Sequence, residues 1–230
     1  MRATASDIWE VLATARTIRR FRDEPVDDVT LSRCLQAATW APSGANAQGW
    51  RFVVLRSPAQ RAVVARAAAE ALAVIEPVYG MTRPSPEDTG RRARTDRATY
   101  ELHDRAGDLT SVLFVQKRYS TASELLLGGS IFPAMQNFLL AARAQGLGAC
   151  LTSWCSYGGE QLLREAVGVP PDWILAGHVV VGWPKGRHGP LRRRPVEEVV
   201  DLDHWGHRAT DILHPAPETG RGPGPNRPVR

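Results

Sequence analysis

The stretch from Ser123 to Ser153 limits the fold more than any other part of the chain. Leu126, Ile131, Met135, Leu139 and Ala142 recur at helical spacing, so residues 123–145 are predicted to form one long helix with an apolar stripe and Ser123 at its N-cap. Gly146-Leu147-Gly148 stops that helix, because glycine enters the left-handed conformation without a Cβ penalty. A short strand, 149–153, follows with no linker. A long apolar helix delivered straight into a strand implies helices packed against a sheet.

The flanking segments agree. Residues 7–15 read as a short helix with Ile8, Leu12 and Ala15 on one face, and Pro25, Asp27 and Asp28 open a second helix that runs to Thr39. Residues 51–56 (RFVVLR) and 109–116 have strand composition, and 173–182 is a strong central strand. An alanine-rich helix is expected from Ser57 to about Val74, and a shorter one over 159–167. The pattern predicts an α+β fold, a three-layer sandwich with a mixed central sheet and helices on both sides. One domain is expected over 1–214. Within it, 76–107 is rich in charge and interrupted by Pro77, Gly80, Pro84, Pro86 and Gly90, which suggests a mobile, lid-like excursion with about one helical turn. Residues 215–230 carry five prolines and three glycines and should be a disordered tail.

Several function classes lose support. A formal charge of +5 suggests nucleic acid, but only Lys117 and Lys185 are lysines among 29 basic residues, a skew that lowers the information in any one arginine. Cys34, Cys150 and Cys155 form no CxxC or metal-ligand spacing and read as reduced thiols. His204 and His207 lack accompanying ligands, so no metal is expected. The first ten residues have no signal-like apolar core and the apolar run 174–183 is too short to span a bilayer, so a cytoplasmic protein without a membrane partner is expected.

Four segments carry the chemistry. Arg16-Thr17-Ile18-Arg19-Arg20-Phe21 joins guanidinium forks to a hydroxyl, the donor set a terminal phosphate needs. Residues 42–50 (PSGANAQGW) combine small residues with the polar Ser43, Asn46 and Gln48, as a polar ring system requires. Gly146 to Trp154 places Leu151, Thr152 and Ser153 at the end of a strand, where ligands gather, without any dinucleotide fingerprint. Gly182-Trp183-Pro184 and the cluster Arg192-Arg193-Arg194 followed by PVEEVV form the fourth.

In this order, RTIRRF, APSGANAQGW with RFVVL, PAMQNFLLAARAQGLGA, VVVGWP and RRRPVEEVV resemble the nitroreductase family of flavoenzymes, from about residue 8 to 206. The resemblance implies an intertwined homodimer holding FMN between its subunits. Arg16, Thr17, Arg19 and Arg193 would bind the phosphate and ribityl chain, with Arg19 near the N1 side. Pro42, Ser43, Asn46 and Gln48 would come from the other subunit, although Gly49 stands where the family usually has proline. Leu151, Thr152 and Ser153 would lie along the isoalloxazine. Residues 130–143 would form the dimer interface and 196–205 would embrace the partner. Trp40 and Trp154 are candidates for the substrate pocket; Tyr100, Tyr119 and Tyr157 have no assigned role.

The implied activity is ping-pong transfer from NADPH or NADH through FMN to a small electron-poor acceptor, a nitroaromatic or quinone, with no protein group as catalytic acid or base. The alternatives are a flavin-storage protein without turnover and a member with specialised flavin chemistry, such as natural-product dehydrogenation, dehalogenation or flavin breakdown. A deazaflavin could replace FMN.

Overall fold

Val112, Leu113, Phe114 and Val115 are consecutive and all buried, so the strand they form must be covered on both faces. A computed structural model, which describes residues 7–119, 123–187 and 189–208, shows how. These residues lie in β2 (Thr110–Lys117), which pairs with β1 (Trp50–Leu55) on one side and β4 (Trp173–Gly182) on the other. β3 (Gly148–Thr152) pairs with β4 and completes the order β1-β2-β4-β3.

Six α-helices accompany the sheet among the described residues: α1 (Ile8–Thr14), α2 (Asp28–Thr39), α3 (Pro58–Tyr79), α4 (Arg91–Asp104), α5 (Glu124–Ala144) and α6 (Glu160–Val167). Val112, Phe114, Val179 and Val181 face Leu31, Cys34 and Ala38 of α2 and Ile131, Met135 and Phe138 of α5. Leu113, Val115 and Val180 face the small residues Ala67, Ala68 and Ala71 of α3, Leu102 of α4 and Leu163 of α6. The expected three layers are present. The helix starts obey local chemistry: Asp27 accepts from the Thr30 amide at 2.8 Å and Ser123 from the Leu126 amide at 3.2 Å.

Two expectations need correction. The sheet, expected to be mixed, is antiparallel in all four strands, and the parallel pairing among the described residues is a single bridge between Thr17 and Ala149. The region 76–107, expected to be an irregular excursion, is largely helical: α3 continues through Pro77 to Tyr79, and α4 adds 14 residues. Pro77 sits in the last turn of α3, where it removes one amide donor just before the helix ends at Gly80. In α4 only Tyr100, Leu102 and His103 are buried, too few for an apolar stripe to be visible. Polar contacts hold it instead. Tyr100 Oη donates to Glu76 at 2.8 Å, and the Arg83 guanidinium lies 4.5 Å from the Tyr100 ring centroid while bridging Asp104 at 2.7 and 2.8 Å. The two corrections are linked. With two helices between β1 and β2, the chain re-enters the sheet at the end where it left, so this pair is antiparallel.

The span 125–144 of α5 has the length and hydropathy to cross a bilayer, yet Ile131, Ala134, Met135 and Phe138 are spent on the sheet. Leu125, Leu126 and Phe132 remain exposed on it. By internal contacts the chain forms two units, Met1–Gly189 and Pro190–Arg230. In the second, a 3-10 turn at Val196–Glu198 precedes a bridge between Asp201 and Arg208, and Trp205 is 98% exposed. Residues 215–230, expected to be a disordered tail, lie outside the described residues.

His178 on β4 is fully buried, with Nδ1 2.9 Å from Thr152 Oγ1 and, among the described residues, no hydrogen-bond partner on Nε2. Burial pulls its pKa down from 6.5 to about 3, so the ring is neutral in the folded chain.

Two outcomes follow from this packing. Phe114 touches Phe52 and Phe138 with ring centroids 5.1 and 5.5 Å apart, so Phe114→Ala should cost ~3–5 kcal/mol in urea unfolding; a loss under ~1 kcal/mol would contradict the packing. An unfolded histidine takes its proton near 6.5 whereas His178 takes it only near 3, so the unfolded chain binds the extra proton between those values. Stability is complete above pH 6.5 and is lost as pH falls toward 3. Urea midpoints across that window should decline less steeply for His178→Gln than for the parent chain, and equal slopes would rule out His178 as a source of the decline.

Candidate cofactor and active site

The arginine-rich segment after α1 lacks an apolar stripe because it is extended backbone fastened to the sheet. Ile18 N–H donates to Ala149 O at 2.9 Å, Arg22 N–H to Trp183 O at 2.8 Å, and Lys185 N–H to Arg20 O at 3.0 Å. Thr17 bridges to Ala149 and Phe21 to Pro184, so the segment follows the edge of β3 and then the end of β4. Ile18 and Phe21 turn into the core beneath the sheet, and Phe21 is 1% exposed. Gly148 permits this approach, since a Cβ there would lie 2.7–3.0 Å from the Ile18 side chain.

Anchored this way, Arg16, Thr17, Arg19 and Arg20 line a cavity of about 530 Å³. Lys185 and Arg187, just beyond β4, line it as well, and Arg91, Arg94 and Thr95 of α4 form its other wall. Seven of its twelve lining residues are cationic. Arg20 and Lys185 bind one carboxylate, Glu101, at 2.7 and 3.2 Å. Burial alone would raise the Glu101 pKa, but those two cations hold it below the usual carboxylate value. Arg16, Arg19, Arg91, Arg94 and Arg187 make no ion pair among the described residues.

A second cavity, of about 470 Å³, shares Arg19 and Thr95 with the first. Leu151, Thr152 and Ser153 line it from the end of β3, Trp154 forms a wall, and Tyr79, Thr99 and His103 cover it from α3 and α4. The proposed lid region thus does line the cavity, as ordered helix. Trp154 is 1% exposed and donates through Nε1 to His103 Nε2 at 2.9 Å. An indole N–H can only donate, so His103 Nε2 carries no proton and Nδ1–H donates to Thr99 O at 2.8 Å. Burial, with Arg19 adding to it, lowers the His103 pKa and keeps this arrangement neutral. Cys150 also lines the cavity, but burial pushes its thiol up to about 11 even with Arg19 nearby, which leaves it an unreactive thiol.

The other predicted cluster lies elsewhere in the chain. Pro42 and Ser43, with Gly44, Ala45 and Ala47, line a third cavity of about 640 Å³ beside Leu126, Leu127 and Ser130 of α5, and it shares no lining residue with the first two. Its loop is strained: Ala45, Asn46 and Gln48 all have φ near +50°. Ser43 Oγ accepts from the Gln48 amide at 2.7 Å, and Gln48 Nε2 donates to Asn46 Oδ1 at 3.2 Å. At Gly49 the Tyr119 hydroxyl and the Gln116 amide occupy the space that a side chain would need.

The structure therefore brings together Arg16, Thr17, Arg19, Leu151, Thr152 and Ser153, and holds Pro42, Ser43, Asn46 and Gln48 apart from them. Trp154 is a cavity wall. Trp40, also predicted to line the pocket, is 74% exposed at the end of α2 and lines none of these cavities, because nothing among the described residues covers the helix exit there. Arg193 belongs to the second unit, where it is exposed and donates to Arg192 O at 3.0 Å. Sequence reasoning missed Arg91, Arg94, Lys185, Arg187 and His103. Among these, only the glycine-proline turn that delivers Lys185 and Arg187 carried a signal.

A basic cavity joined to a mixed polar and apolar one suits a planar molecule with a phosphate tail, and the comparisons with known proteins agree. The family model described as "Nitroreductase family" matches residues 12–183. A 5,6-dimethylbenzimidazole synthase of Rhodospirillum rubrum is 32% identical over 207 residues, 86% of this chain and 89% of that protein. A nitrobenzene nitroreductase of Ectopseudomonas oleovorans is 25% identical over 78% of this chain and 88% of its own. A solved nitroreductase-like structure from Desulfovibrio desulfuricans, in complex with FMN, superposes with a TM-score of 0.60 at 25% identity, covering 87% of this chain and 98% of that one. With the fold, the ordered segments and a family match across all four strands, the chain belongs to the nitroreductase family.

Proposed function

We propose that this chain is an FMN-dependent oxidoreductase that works as a homodimer, transferring electrons in ping-pong fashion from NADH or NADPH to an electron-poor small molecule such as a nitroaromatic or quinone. The observation that carries this reading is the junction of two cavities at Arg19 and Thr95, one ringed by cations and the other walled by Trp154 and the end of β3. The residues fit the cofactor. Guanidinium forks and the Thr17 hydroxyl suit a phosphate dianion, and a cleft of about 470 Å³ suits part of a ring system.

When bound, FMN supplies the redox chemistry, taking hydride from the reduced nicotinamide and returning electrons to the acceptor. Arg16 and Thr17 bind its phosphate end, and Arg19, which lines both cavities, brings positive charge toward the ring. Leu151, Thr152 and Ser153 form the surface along which the ring lies. The neutral pair His103 and Trp154 keeps that wall dry and rigid. No side chain is assigned as general acid or base. The basic residues serve small phosphorylated molecules rather than nucleic acid.

The 42–48 loop completes the site from the second subunit on this reading. Its support is the separation of that loop from the other cluster within one chain, together with the exposed Leu125, Leu126 and Phe132 on the neighbouring α5. A second reading, a specialised family chemistry such as formation of 5,6-dimethylbenzimidazole, is favoured by the 32% identity to the Rhodospirillum rubrum synthase. Chromatography of aerobic NADPH turnovers separates the two: the benzimidazole appears only under the second reading.

The purified protein should be yellow and should bleach when NADPH or NADH is added without oxygen, recovering when a quinone follows. A colourless chain that takes up no FMN would defeat the proposal. Arg19→Ala should weaken FMN retention by at least ~1.5 kcal/mol, roughly tenfold in Kd, as read by flavin fluorescence.

A further inference from the structure

The basic cavity holds more positive charge than one flavin phosphate can use. Its seven cations meet a single carboxylate, Glu101, leaving six positive charges uncompensated among the described residues. A phosphate monoester carries about two negative charges at neutral pH. Like charges so confined repel, and the remainder is available to a second polyanion.

The arginines of the α3–α4 region show where that remainder lies. Arg83 binds Asp104, Arg92 binds Asp96 and Arg105 binds Asp23, while Arg97 donates to the carbonyls of Ser85 and Asp88. Arg91 and Arg94 differ. They line the cavity and have no carboxylate partner among the described residues; Arg94 donates only to Thr89 O at 2.8 Å. Being three residues apart on α4, they share a helix face and present two forks to one anion. They also stand across the cavity wall from the segment that carries Arg16 and Thr17, outside the set that the flavin phosphate requires.

Resting on the flavoenzyme reading above, we infer that Arg91 and Arg94 select the electron donor by binding the ribose 2′-phosphate of NADPH, so that NADPH is preferred to NADH. The charges balance on this assignment. The flavin phosphate brings about two negative charges, the dinucleotide pyrophosphate about two, and the 2′-phosphate about two, against the six that are uncompensated. NADH leaves a pair of guanidinium groups unmatched.

The test is calorimetric titration of the FMN-loaded protein with NADP⁺ and with NAD⁺, which reads binding without turnover. NADP⁺ should bind at least about tenfold more tightly at low salt. In Arg91→Ala/Arg94→Ala the ratio should fall to within about twofold, while FMN, read by fluorescence, stays bound more tightly than in Arg19→Ala; Arg91→Lys/Arg94→Lys should keep part of the preference. Equal affinity for the two nucleotides in the parent chain would overturn the inference, as would a preference that survives the double alanine substitution. Loss of FMN rather than of nucleotide preference would also overturn it, by assigning these arginines to the flavin phosphate. Failure of the parent chain to take up FMN is a separate result, and it contradicts the flavoenzyme reading itself.

Discussion

The candidate site depends on the hydrogen bonds that fasten residues 16–22 to the edge of β3 and the end of β4. The segment turns Ile18 and Phe21 into the core and leaves Arg16, Thr17, Arg19 and Arg20 lining the cavity. Without those bonds, three cations and a hydroxyl would sit on a mobile loop and could not form a cavity. Gly148 and the burial of Phe21 are part of the same constraint, since one admits the segment to the strand and the other holds it there.

The cover of the site has a different physical character from its floor. The sheet and α5 are held by apolar packing on both faces, whereas α4 is held mostly by polar contacts: Tyr100 to Glu76, Arg83 to Asp104, and Trp154 to His103. Exposed ion pairs such as Arg83–Asp104 contribute little individually, and the buried His103–Trp154 bond is the contact that costs most to break, because it would leave two polar groups unpaired. Cations crowded around one cavity repel one another, a cost that the proposed phosphorylated ligand would offset. A roof stabilised this way is suited to admit one ligand after another, as the proposed ping-pong reaction requires.

Apolar periodicity made α2, α5 and the four strands legible in the sequence, and donor chemistry did the same for Arg16, Thr17 and Arg19, which the structure gathers around one cavity. Strand direction was not legible, because α4, which returns the chain to the end of β1 where it left, was not seen in the sequence. α4 was hidden for a related reason: RRARTDRATYELHD forms helix readily but buries only three residues, and its neighbouring prolines and glycines resemble a loop. With α4 went Arg91, Arg94 and His103, whose importance comes only from what the fold places opposite them. Trp40 differs, a large aromatic that nothing among the described residues covers.

The central claim is that two identical chains build each site, one bringing Arg16 and Arg19, the other the loop with Ser43 and Asn46. A mixed dimer tests it most directly. One tagged chain carries Arg16→Ala/Arg19→Ala, a second chain carries substitutions at Ser43 and Asn46, and FMN is counted in the purified heterodimer. A site shared between chains leaves one intact copy per heterodimer, so one FMN should be bound although neither parent homodimer retains any. A heterodimer with no FMN, as two self-contained defective sites would give, contradicts the account.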